Sequence, residues 1–149
     1  MRTLVAYSLI ALAILMVPAV ASADQIIDNS DGEPDVVVTG EWWDSTTVPG
    51  HWGADYLYTW AGAPDARVEY VFTVATPGNY RVLAWWSAPY VGRASDTPYT
   101  INHAGGRDTV LVDQTINGSR WNELGVFTFN AGTASVIITS DASDKDPVA

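Results

Sequence analysis

Cysteine is absent from all 149 residues. That removes disulfide crosslinks, thiol nucleophiles, Cys-based zinc sites and iron–sulfur clusters, and it leaves stability to the core alone. Basic residues are scarce: 7 Lys and Arg stand against 17 Asp and Glu, for a formal net charge of −10 at neutral pH. A chain of that sign lacks the basic surface that nucleic acid or anionic lipid requires, and it favours neutral or cationic ligands. Sustained helical periodicity is missing from Asp24 onward. So is any later apolar run long enough to span a bilayer. HExxH, GxSxG and paired histidines at metal-ligand spacing are missing too. Of the 2 histidines, His103 directly precedes the turn Ala104-Gly105-Gly106 and is expected to hydrogen-bond that turn rather than act as a catalytic base. The expectation is a chain without catalytic residues.

What is present starts at Met1. Arg2 supplies a short positive region, Leu4 to Val17 is a largely apolar run of 14 residues, and Pro18 and Ala21-Ser22-Ala23 follow. That order matches a secretory signal peptide cleaved after Ala23, which makes the working protein extracellular or periplasmic. Residues 24–149 then form one domain. Removing residues 1–23 loses Arg2 and no acid, so the formal charge moves from −10 to −11. All 7 Trp and 3 Phe lie in this part, and large aromatics bury enough area to replace the missing crosslinks.

Short β-branched and aromatic runs alternate there with Gly, Pro, Asn and Asp clusters, the pattern of an all-β chain. Strands are predicted at 25–28, 36–39, 42–45, 56–60, 67–73, 80–86, 99–102, 109–113, 124–129 and 135–139. Val68, Tyr70, Phe72 and Val74 alternate with Arg67, Glu69, Val71 and Thr73, and Tyr80, Val82, Ala84 and Trp86 alternate with Arg81, Leu83 and Trp85 beyond the turn 75–79. These two runs read as a hairpin with one buried face. The turns 104–107 and 130–133 link two further pairs. Many short antiparallel strands at this spacing make a β-sandwich of jelly-roll type. The tail from Asp141 reads as loose.

Several segments carry a family resemblance: Val38-Thr39-Gly40-Glu41-Trp42, Pro49-Gly50-His51-Trp52-Gly53-Ala54-Asp55-Tyr56, Gly78-Asn79-Tyr80-Arg81-Val82, Ala84-Trp85-Trp86, Pro98-Tyr99-Thr100-Ile101-Asn102-His103 and Trp121-Asn122-Glu123-Leu124-Gly125-Val126-Phe127. In this order they resemble the golvesin C-terminal-like domain, also found in xanthan lyase. The resemblance implies a β-sandwich of carbohydrate-binding-module type, appended to extracellular lyases, hydrolases and envelope amidases. Its implied role is binding polysaccharide or cell-wall glycan, but it brings no assigned binding residues. One departure stands out. The family pattern closes with a strand beyond the position of Thr139, whereas here Asp144-Lys145-Asp146-Pro147-Val148-Ala149 follows. The last strand is therefore expected to be missing, either because the sequence is a fragment or because a protein partner completes the sheet.

Sugars stack their apolar faces on exposed rings, so aromatics in loops are the first binding candidates. Trp52, in the Gly- and Pro-rich loop 49–53, is one, and Trp85 is another. Trp86 shares parity with Tyr80, Val82 and Ala84 and should be core, which turns Trp85 outward. Tyr90 and Arg93, in the loop 88–97, complete the candidate lip with His51 as a polar contact; Arg93 pairing with Asp96 is the alternative. Trp121 is expected to anchor its turn. Asp28 and Asp31 near the start, with Asp141 and Asp144 near the end, are candidates for a structural Ca²⁺ if the termini lie side by side. Otherwise they form a solvated acidic rim.

Overall fold

The computed structural model describes residues 24–88, 92–143 and 148. Nine strands follow a short 3-10 turn at Asn29–Asp31: β1 (Val36–Thr39), β2 (Trp43–Ser45), β3 (Tyr56–Tyr58), β4 (Arg67–Val74), β5 (Gly78–Ala84), β6 (Thr97–His103), β7 (Gly106–Val112), β8 (Asn122–Phe129) and β9 (Gly132–Thr139). Every pairing is antiparallel. The expected strand at 25–28 forms no ladder; Asp28 instead caps the 3-10 turn that follows.

One layer is a five-stranded sheet in the order β1-β4-β9-β6-β7. Its inward positions come from the period-2 alternation: Val36, Val68, Val74, Tyr99, Ile101 and Ile138 are buried. Burying a side chain of that size stabilises by about 1.5–3 kcal/mol each. The outward face mixes apolar residues such as Val71 and Leu111 with a polar network. Glu69 pairs with Arg67 and accepts from the Ser135 hydroxyl at 2.8 Å, and Ser135 in turn accepts from the Asn102 amide at 2.7 Å, tying β4, β9 and β6 together.

The other layer consists of two separate pairs, β2-β3 and β5-β8. Phe129 of β8 is 2% exposed and reaches across the sandwich, meeting Phe72 edge-on at 5.5 Å. This arrangement is a β-sandwich, as the sequence led us to expect, but two predicted pairings differ. β4 and β5 are not a hairpin: β4 pairs with β1 and β9, and β5 pairs with β8. The turn between them crosses from one layer to the other, so both apolar faces meet across the core instead of lying side by side. The 130–133 turn does the same between β8 and β9. Only the 104–107 turn closes a true hairpin, β6 to β7.

The tail is also less loose than its composition implies. Val148 is 0% exposed and forms an antiparallel bridge with Thr59, with both backbone hydrogen bonds at 2.9 Å.

Candidate functional site

Three loops converge at one end of the sandwich: 49–53, 85–88 and 117–121. Backbone bonds lace them, from Ala88 N–H to Pro49 C=O and from Ser119 N–H to Trp86 C=O, each at 2.8 Å. Two glycines permit the approach. Gly50 has φ of 77°, and a Cβ there would lie 1.8 Å from the Ser119 hydroxyl; a Cβ at Gly118 would lie 1.9 Å from the Ser87 carbonyl.

Trp52, Trp85 and Trp121 meet where these loops join, with ring centroids 5.1–5.5 Å apart and tilted or edge-on geometry. Trp85 is the fixed member. It is half-buried, and its indole N–H donates to the Gly50 carbonyl at 2.8 Å. Trp52 and Trp121 are each 39% exposed. Trp86 points the other way, is 7% exposed and donates to the Ile116 carbonyl at 2.9 Å, as strand parity predicts. Trp121, expected to anchor its turn, also completes the aromatic cluster. Its position after the turn gave no sign of this, because the contact depends on two loops far away in sequence.

Of the remaining predicted contacts, His51 is half-buried beside this cluster, its Nδ1 3.1 Å from the Val48 carbonyl and its ring against Tyr56. Tyr90 lies outside the described residues. Arg93 requires correction. It is 4% exposed, its guanidinium sits 4.8 Å over the Tyr56 ring, and it donates to the Ser87 hydroxyl at 3.1 Å. A cation so enclosed holds loops together and is not presented to a ligand. Burial pushes the Tyr56 phenol up, but hydrogen bonds with Ser45 and Arg93, the Arg93 charge and the Val48 backbone outweigh it and leave that phenol below its ordinary range.

The acidic residues have local work. Asp28 accepts from Ser30 N–H at 3.1 Å, and its own N–H donates to Asp31 at 2.8 Å, a reciprocal cap. Asp141 accepts from the Thr139 hydroxyl at 3.0 Å. Asp144 lies outside the described residues. Among the described residues, no group of three or more His, Asp or Glu side chains gathers as a metal centre. His103 accepts from Gly105 N–H at 3.2 Å and faces Asp108 at 3.1 Å, the turn-bonding role read from its position.

An antiparallel sandwich with an aromatic cluster on its end loops defines the class of protein as a β-sandwich module. The chain belongs to the Golvesin C-terminal domain family, whose model matches residues 25–149. It is 33% identical over 119 residues to the xanthan lyase of Bacillus sp. (strain GL1), covering 78% of this chain and 13% of that enzyme. The solved structure of a Paenibacillus xanthan lyase superposes with a TM-score of 0.72 at 31% identity, over 81% of this chain and 12% of that one. The chain thus spans about an eighth of the lyases it matches and corresponds to a small accessory portion of them.

Proposed function

We propose that the chain is a secreted, non-catalytic module that holds extracellular or cell-envelope polysaccharide on the tryptophan cluster. The observation that carries this is the pair of exposed indoles, Trp52 and Trp121, braced by Trp85, whose N–H is already committed to Gly50. A braced platform loses little side-chain freedom on binding, which suits weak, repeated stacking against sugar rings. Membership of a family represented in xanthan lyase supports a polysaccharide as ligand, with xanthan the first candidate. The apolar leader ending in Ala21-Ser22-Ala23, with the family match starting at residue 25, supports export. Among the described residues no helix is long and apolar enough to cross a membrane.

The test is titration with xanthan, peptidoglycan and common glucans, following tryptophan fluorescence. Binding should weaken at least about tenfold, or ~1.4 kcal/mol, in Trp52→Ala and in Trp121→Ala while the melting temperature changes little. No fluorescence response to any of these polymers would remove the proposal's support. An adhesive role toward proteins is the second reading.

A further inference from the structure

The outward face of the β5–β8 pair is continuous with the tryptophan cluster. Along β5, Asn79, Arg81 and Leu83 are exposed, and Trp85 follows just past the strand end with the same parity. β8 does not keep one parity. Its exposed residues are Thr128, Val126 and then Glu123, with Leu124 and Gly125 both half-buried between the last two. The register accounts for the break. Val82 faces Gly125 but Leu83 faces Glu123, so Leu124 is the extra residue of a β-bulge. Gly125 admits the bulge with φ of 151°, and Leu124 packs into the core. In an unbroken strand with Val126 outward, Glu123 and Trp121 would both turn inward. The bulge instead sets Glu123 against Arg81 and Trp121 against Trp85, on the outer face.

The result is a strip of about 20 Å from Asn79 to Trp85, at ~3.3 Å per residue. Its chemistry is mixed along its length. Asn79 accepts from the Thr128 hydroxyl at 2.7 Å. Arg81 Nε and Nη2 both reach the same Glu123 oxygen, Oε2, at 2.9 Å, so Nη1 and Oε1 keep their capacity for further hydrogen bonds. Leu83 and Val126, 39% and 58% exposed, lie among these polar groups. Sugar rings present hydroxyls at their rims and C–H groups on their faces, and a surface of planar polar side chains beside apolar ones meets both needs. Arg81 and Glu123 neutralise each other, so the strip engages hydroxyls and not charge. We propose that the polysaccharide runs on from the tryptophans along this strip, so that the module grips the interior of an extended chain. One ring stacks on the exposed indoles, and the rings that follow cross Leu83 and Val126 with their hydroxyls on Arg81, Glu123 and Asn79. The extension rests on the tryptophan cluster being a glycan site, and it names what that site selects: a run of several sugars, not a terminal one.

The test is calorimetric titration with xanthan, soluble β-glucan and peptidoglycan fragments, and with the disaccharide of whichever polymer binds. Three variants are compared with the original chain: Trp52→Ala, Leu83→Ser, and the double change Arg81→Ala with Glu123→Ala. The double change removes one charge of each sign, so the net charge stays the same and any loss of binding is local. An exposed ion pair contributes little to stability, so the melting temperature should hold to within a few degrees. The double variant and Leu83→Ser should each bind the polymer about fivefold more weakly and the disaccharide within about twofold of the original, whereas Trp52→Ala should weaken both. Full-strength polymer binding by the double variant and Leu83→Ser, with loss in Trp52→Ala, overturns the strip and leaves the tryptophan site standing. Absence of binding to any polymer by the original chain removes both. A dimer on size-exclusion chromatography that Val126→Lys dissociates would give this face to a second copy and also overturn the proposal.

Discussion

The two layers of this sandwich are built from similar strands and reach very different degrees of completion. In the five-stranded sheet, β4 is paired along all eight of its residues with β9, and its neighbours seal Val68, Ile101 and Val74. In the opposite layer, β5 is paired on one side only among the described residues, and its inward residues Tyr80, Val82 and Ala84 all stay half-buried. Hydrophobic alternation is equally clear in both. Burial follows from what lies alongside a strand as much as from its own pattern, so the same kind of side chain contributes less in the second layer than in the first.

The largest contrast should come from truncating across that divide. Val68→Ala removes a sealed side chain of the five-stranded sheet and should cost about 2–3 kcal/mol, whereas Val82→Ala in half-buried β5 should cost about 1 kcal/mol or less. Urea denaturation measures both, and comparable losses would mean the second layer is as well sealed as the first. Alkali is the next probe. Burial pushes the Tyr99 phenol up to about 12, only partly offset by the hydrogen bond from Gln114. Its folded value lies above the unfolded value near 10, so its contribution is intact below pH 10 and is lost as the pH rises toward 12. The loss should amount to about 2–3 kcal/mol in all. Tyr99→Phe should flatten the pH dependence of the denaturation midpoint over that window. Tyr70, also pushed up by burial and by Tyr99 and Asp28, remains to give the residual slope. A smaller effect is expected at the loop end: Gly118→Ala drives a methyl into the Ser87 carbonyl and should cost about 2 kcal/mol, with a changed tryptophan emission spectrum.

The sequence made the strands easy to find and their partners hard to assign. Alternation in Val68–Val74 and Tyr80–Trp86 says that each run has one apolar face, but a face can be buried by a neighbour in its own sheet or by the sheet opposite. The turn between them looked like a hairpin turn, and only the pairing of β4 with β9 and of β5 with β8 reveals a crossover. Parity sorted Trp86 from Trp85 correctly, because that argument is local. Arg93 and the tail at Val148 were misjudged, and the wider contacts of Trp121 missed, for the converse reason. Trp121 depends on loop 49–53, Arg93 on the Tyr56 ring and Val148 on Thr59, and no short stretch of sequence contains any of those partners. Arg93 in particular carried the composition of a surface loop while serving as its internal fastener.

The bridge between Val148 and Thr59 also has a mechanical meaning. Tension applied at Val148 would load one rung of two hydrogen bonds, while the eight-residue β4–β9 ladder lies elsewhere in the fold. The rung would part first and leave that ladder standing.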